Sequence, residues 1–391
     1  MEVQVFGMRS FRLGSLFGIP IEVDASWFLI FFLVAMSLAT SYLPAALPDV
    51  APSAHALMAI AMALAFFGSI VLHELAHSLV ARAGGLSIAR VTLFVFGGVS
   101  QMQDEPARPG HEFLLAIAGP GMSLVLGGIG FGLLRVLGSA APVITVPIRY
   151  LAVINISVAL FNLLPGFPLD GGRVLRALLW ALTGDKLKAT KWASASGRAL
   201  GYGLVAVAVF GVLQGATNLI WLAVMGWFLA ILASSAYRQQ VIRAELAEVP
   251  LSRIMSSPVA LVPADVTLEE MAHSYFLGGR HARYPVVDEG RVIGLIELQA
   301  TREVPRERWR ETTAADAAYR DLETIVATPD TPVERVLPLL DPSAHGAVLV
   351  VEDGRLAGIV TRGDVIRLLN ADPPEGLRRA KAEGGTPDPS A

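Results

Sequence analysis

His73-Glu74-Leu75-Ala76-His77 lies inside a long apolar run, about Ser53 to Val80, and the rest of the chain is read outward from it. Positions i and i+4 of a helix share one face, so both imidazoles can reach one metal ion. Glu74, next to the first imidazole, can reach water held at an open coordination position. The plain alternative is a pair of polar side chains tucked between packed helices. Ionisable groups are costly in apolar spans, however, and as a rule mark function there.

That run is one of several. Of 391 residues, 53% are hydrophobic and only 17% are charged, with a mean hydropathy of +0.55. Much of the chain therefore belongs in a lipid bilayer. Spanning helices are predicted at Ser26–Leu43, Ser53–Val80, Glu112–Leu137, Val146–Leu164, Ser196–Leu213 and Asn218–Tyr237, with a further helix over Arg173–Leu182. Residues 1–24 alternate loosely and predict a short strand. Residues 86–103 have β-leaning texture broken by Gly97-Gly98, which predicts a hairpin or re-entrant segment. Gly119-Pro120-Gly121, inside the third span, reads as a place where another helix packs closely.

Charge sets an orientation. Arg9, Arg12, Arg82, Arg90, Arg108, Arg173, Arg176, Lys186, Lys188, Lys191 and Arg238 fall on one side of a six-span arrangement, against Arg135 and Arg149 on the other. The positive-inside rule then predicts both termini in the cytoplasm. The start of the chain lacks a signal-peptide layout. A net charge of −3 offers no basic field for nucleic acid. There is no cysteine, which excludes disulfides, iron–sulfur clusters and thiolate metal sites, so a zinc site must use His, Asp or Glu.

Two histidines leave a metal under-coordinated, because catalytic zinc keeps three protein ligands. The remaining histidines are His55, His111, His273, His281 and His345. Asp170 is the stronger candidate, on the kinked stretch Asn162-Leu163-Leu164-Pro165-Gly166-Phe167-Pro168-Leu169-Asp170-Gly171-Gly172. Its plain reading is a turn aspartate before Gly171.

From about Leu251 the composition turns soluble and repeats itself. Tyr284–Ile296 matches Ala347–Val360, each copy reading strand, acidic-Gly turn, strand. The expected division is 1–245 for the membrane part, 246–370 for the repeat (about 251–310 and 320–370), and 371–391 as a disordered tail rich in Pro, Gly, Ala and charge.

H-E-x-x-H on a helix is the arrangement of zinc peptidases whose glutamate is the general base. Together with N-L-L-P-G-F-P-L-D-G-G two spans later, it resembles the site-2 protease family of intramembrane zinc metalloproteases (peptidase family M50) over about residues 10–240. The resemblance implies one Zn2+ per chain held by His73, His77 and Asp170, with Glu74 activating water. It also implies that the segment Phe96-Gly97-Gly98-Val99 holds substrate as an added strand. Asn162 is implied to bond the substrate backbone or the oxyanion, with helix-breaking polarity as its plain reading.

The soluble repeat resembles a tandem pair of CBS domains, modules that commonly bind adenine nucleotides such as ATP, ADP or AMP. Their ribose-binding pattern is met in the second copy by Gly358, Thr361 and Asp364. In the first copy Glu297 and Ala300 replace the Thr and Asp, and Glu297 is expected to repel phosphate. The whole chain thus reads as a polytopic α-helical membrane protein of six spanning helices with a small β element, followed by an α/β CBS pair. The expected partners are single-span membrane-protein substrates, the lipid bilayer and a second copy bound through the CBS pair, at a bacterial or archaeal plasma membrane. A CBS-regulated transporter with histidines along an ion path, or a non-proteolytic membrane scaffold, is the competing reading.

Overall fold

Caps and prolines start the helices of this computed structural model, which describes residues 10–95, 97–102, 105–138, 140–277, 281–340 and 346–371. The chain divides into two units after Gln240. In the first, strands β1 (Ser10–Leu16) and β2 (Ile19–Asp24) form a hairpin. The Asp24 carboxylate accepts from the Ser26 backbone N–H and opens α1 (Ala25–Ala46). Helix α2 (Pro52–Ala83) follows, then strands β3 (Ile88–Phe94) and β4 (Gly97–Met102). Next come α3 (Pro109–Leu137), α4 (Pro142–Asn162), α5 (Asp170–Thr183), α6 (Lys186–Leu213) and α7 (Ile220–Leu246), the last of which runs on into the second unit from Val241. Proline stands in the first turn of α2, α3 and α4, where its missing N–H costs nothing.

Six of these helices are long and apolar enough to cross a membrane, and α5 is the short one left over. Their outward faces are apolar. Helix α1 has only 11% of its most apolar window buried, and Phe28, Leu29, Phe32 and Leu33 stay exposed on it. Such a surface is stable against lipid rather than water.

Most predicted boundaries shift by a turn or less, and two move further. Helix α6 begins at Lys186 rather than Ser196, because the Asp185 carboxylate accepts from the Lys188 N–H and starts a helix through the lysine-bearing stretch. Helix α7 runs on past Tyr237 to Leu246. Arg176, counted above among the charges that set orientation, is buried in an ion pair with Glu112 rather than facing solvent.

The β element is larger than a single hairpin. All four strands join one sheet in the order β1-β2-β3-β4. The join is parallel, with Ile21 opposite Val91. Ile19, Ile21 and Val91 pack with Leu75 in one buried cluster flanked by Val71 and Leu79. Positions 71, 75 and 79 form one stripe of α2, so the sheet grips the side of the helix opposite the one bearing His73 and His77.

In the second unit the repeat is visible as topology. Strand β5 (Val262–Pro263) runs parallel to β6 (Arg283–Asp288), which pairs antiparallel with β7 (Arg291–Glu297). Strand β8 (Val326–Ala327) stands in the same relation to β9 (Ala347–Glu352) and β10 (Arg355–Thr361), and α8 (Arg362–Ala371) closes the second copy. Both hairpin turns place an acidic residue and a glycine at positive φ, Glu289-Gly290 and Asp353-Gly354, the backbone of a tight two-residue turn. Leu295, Ile325, Ala347, Leu349 and Ile359 form a core shared by the two copies. Of the expected tail, 371–391, Ala371 ends α8, and residues 372–391 lie outside the described residues, as does Phe96.

Candidate metal centre and nucleotide site

Helix α2 presents His73 and His77 on the face turned toward α3, and the first residue of α5 brings Asp170 to them. His73 Nε2 lies 3.2 Å from Asp170 Oδ2, His77 Nε2 lies 3.3 Å from the same oxygen, and the two Nε2 atoms are 3.3 Å apart. Three ligands of a tetrahedral zinc, each about 2.0–2.1 Å from the ion, stand about 3.3 Å from one another. The donor set therefore fits zinc, and among the described residues it is the group of three that could hold a metal.

The far sides of both rings are fixed. His77 Nδ1 donates to the Leu115 carbonyl at 2.6 Å, which leaves Nε2 with its lone pair toward the cluster. His73 Nδ1 lies 2.9 Å from Ser123 Oγ. Both partners come from α3. So does Gly119: a Cβ there would collide with Nε2 of both histidines. The close approach predicted for Gly119-Pro120-Gly121 is thus an approach to the two imidazoles.

Glu74 sits between the sheet-facing and α3-facing stripes of α2, and its carboxylate meets β4. Ser100 Oγ donates to Oε2 at 3.0 Å, and Ser78 Oγ donates to Ser100 Oγ at 3.1 Å. A Cβ on Gly98 would stand 2.5 Å from Glu74 Cγ. Gly97 has open space around it but a φ of +129°, so its requirement is conformational. Asn162 ends α4, and its amide has no hydrogen-bond partner among the described residues.

The other histidines stay out of the cluster. His55 is buried, with Nε2 3.0 Å from the Leu47 carbonyl, and ties down the loop before α2. His111 lies in the first turn of α3, near Gly84. His273 and His281 belong to the second unit, and His345 lies outside the described residues.

Residues around the cluster that sequence reasoning passed over are Ser123, Ser100 and, between the helices that carry it, the pair Glu112–Arg176. Glu112 is fully buried in the first turn of α3, and Arg176 Nε donates to its Oε1 at 2.5 Å from α5. The Arg176 guanidinium also lies over the Phe167 ring, 5.1 Å from its centroid. A charged pair inside an apolar stretch was the available signal.

In the second unit, Asp364 is buried and all its lone pairs have takers. Oδ2 accepts from the Thr361 N–H at 2.8 Å and the Thr361 hydroxyl at 2.7 Å. Oδ1 accepts from Ser256 at 2.9 Å and from the exposed Arg367 at 2.5 Å. A Cβ on Gly358 would meet the Met255 side chain at 2.6 Å. In the first copy Glu297 is paired with Arg283 at 3.2 Å. It lines an open cavity with Arg283, Arg302, Gln299, Leu298 and Ala282.

The family model for peptidase family M50 matches residues 61–143 and 138–204, and that for the CBS domain matches 251–300 and 320–371. The chain is 32% identical, over 93% of its own length and 96% of the relative's, to sll0528 of Synechocystis sp., whose name assigns it to the zinc metalloproteases. It is 35% identical to Rip3 of Mycobacterium tuberculosis, likewise named, over 92% of both chains. Zinc metalloprotease MJ0392 of Methanocaldococcus jannaschii is 29% identical over 92% of this chain and 96% of its own.

Proposed function

The chain belongs to peptidase family M50 as a site-2 protease-like zinc metalloprotease with CBS domains, and from that membership we propose that it cleaves transmembrane segments of single-span membrane proteins. His73, His77 and Asp170 hold the zinc, and Glu74 is the general base. The observation that carries this is the convergence of three donor atoms from two separated helices at tetrahedral spacing.

Bound zinc supplies Lewis acidity toward water and the scissile carbonyl. The residues do the rest. Glu74 takes a proton from the attacking water on Oε1, since Oε2 already accepts from Ser100, and passes it to the leaving amine. A substrate helix has its carbonyls engaged in i→i−4 bonds, so it must unwind to react. Strand β4 offers replacement bonds: it is the last strand of its sheet, and an extended segment laid beside it would be held by its backbone. The unpartnered Asn162 amide supports its role in bonding that segment or the oxyanion.

The CBS pair binds an adenine nucleotide and modulates cleavage. In the second copy this requires the exposed Arg367 to leave Asp364. The first-copy cavity offers the phosphates Arg283 and Arg302. The pair also joins two chains as a homodimer, in a plasma membrane with both termini cytoplasmic.

The test uses full-length protein co-expressed with single-span membrane proteins. Glu74→Gln is expected to keep its zinc and lose cleavage by about 10²–10⁴-fold. Cleavage at the wild-type rate by a zinc-loaded Glu74→Gln protein defeats the assignment. Ion flux through liposomes that ignores Glu74 favours the transporter reading instead.

A further inference from the structure

Strand β4 alternates, so Gly98, Ser100 and Met102 point to one face and Gly97 and Val99 to the other. Val99 is exposed, while both Gly98 and Ser100 meet Glu74. We propose that Gly98 and Ser100 form a cradle that orients the Glu74 carboxylate, making Ser100 a positioning residue for the general base. The inference rests on the proposed function for the identity of the base.

Ser78 donates to Ser100 Oγ at 3.1 Å, which frees the one Ser100 proton for Glu74. Two acceptors are in reach, the Glu74 carbonyl at 3.2 Å and Oε2 at 3.0 Å. The charged oxygen is nearer and is the stronger acceptor. That bond fixes one carboxylate oxygen and leaves Oε1 to work. On the other side Gly98 gives the side chain its room, since a Cβ there would lie 2.5 Å from Cγ, 3.2 Å from Cδ and 3.3 Å from Oε1. Adjacent glycines therefore serve different ends, Gly97 by its backbone and Gly98 by its emptiness. Because the cradle belongs to the outermost strand of the sheet, a segment adding beside β4 also adjusts the base. Binding and proton transfer are coupled through one strand.

The experiment uses zinc-loaded full-length protein in liposomes and a fluorescence-quenched synthetic peptide with a lysine-flanked, 20-residue-class apolar helix of ordinary spanning length. Ser100→Ala is expected to lower kcat about 10- to 100-fold, the loss of one hydrogen bond to a charged group. KM and bound zinc stay unchanged, and Ser100→Thr restores most of kcat. Gly98→Ala loses more, with the carboxylate displaced in its crystal structure. Wild-type kcat in Ser100→Ala overturns the proposal. So does a loss confined to KM or to zinc content, which a purely structural serine would give. If wild-type protein leaves the peptide intact, the proteolytic reading is what fails. The crystal structure of Ser100→Ala then decides alone, an unmoved Glu74 carboxylate counting against the cradle.

Discussion

Two clusters in this molecule were reached by the same kind of motif reading, and their chemistry differs. Around His73, His77 and Asp170, three potential ligand atoms face one another at 3.2–3.3 Å, while the outer ring nitrogens are held from behind by Ser123 and Leu115. Around Asp364, by contrast, each carboxylate oxygen already has two donors from the chain itself. Lone pairs crowded together cost energy until a cation is shared between them. Lone pairs that are all satisfied need nothing more. A ligand site is thus marked by what its residues leave undone for one another.

The sharpest way to break that contrast is to remove a donor. Asp170→Ala is expected to lower zinc affinity by more than about 100-fold, the upper range seen for losing a mere supporting partner, and to take cleavage to background. Metal analysis after dialysis against a graded chelator series reads it directly. If Asp170→Ala keeps full zinc occupancy, another donor completes the set and the geometry has been misassigned.

The next effect concerns how the two halves of the metal cluster are held together. The ring-supporting residues sit on α3 and Asp170 sits on α5, and the Glu112–Arg176 pair ties those helices. Breaking a buried pair strands a charge, so Arg176→Met is expected to destabilise the protein by about 3–5 kcal/mol. Replacing both partners, Glu112→Leu with Arg176→Met, should recover much of that loss. Thermal unfolding of the purified detergent-solubilised variants checks both. Equal loss in the single and double variants would show that the pair acts through its shape rather than its charges.

Legibility in the sequence followed range. His73, Glu74 and His77 were readable because their spacing is local and helical, and the six spans because hydropathy needs only a window. Asp170 was readable because a second motif carried it. The four-stranded sheet was not, since its parallel join pairs Ile21 with Val91 across α1 and α2, and nothing in either hairpin names the other. Ser123 and Ser100 were silent for the same reason, each taking its role from a side chain far along the chain, and at Gly119 the close approach was legible but not that two imidazoles make it. The early start of α6 was within reach, because Asp185 is an ordinary N-cap whose signal was outweighed by the lysines after it.

The smallest effect tests the motif itself. T-x-x-D occurs twice in the second unit, at Thr361–Asp364 and at Thr313–Asp316, and the bonds are alike. Thr313 gives its N–H and its hydroxyl to Asp316 Oδ2 at 3.1 and 2.7 Å, as Thr361 does to Asp364. At Thr313 this is a capping box that starts one short helical turn. The Thr313 hydroxyl and then its N–H hold the exposed Asp316 carboxyl below its ordinary value. Its small contribution is therefore present above the unfolded carboxylate's range and is lost as pH falls through the lowered value. If Thr361–Asp364 is only another cap, ATP, ADP or AMP shifts the melting temperature of wild type and both Asp→Ala variants alike. If it is a nucleotide site, nucleotide raises the wild-type and Asp316→Ala melting temperatures and leaves Asp364→Ala behind. The Asp316 variant matters because it removes the same Thr bonds from the same motif; comparing each variant with and without nucleotide cancels the loss of the Ser256 and Arg367 bonds at Asp364, so a difference in the nucleotide-induced shift belongs to the ligand.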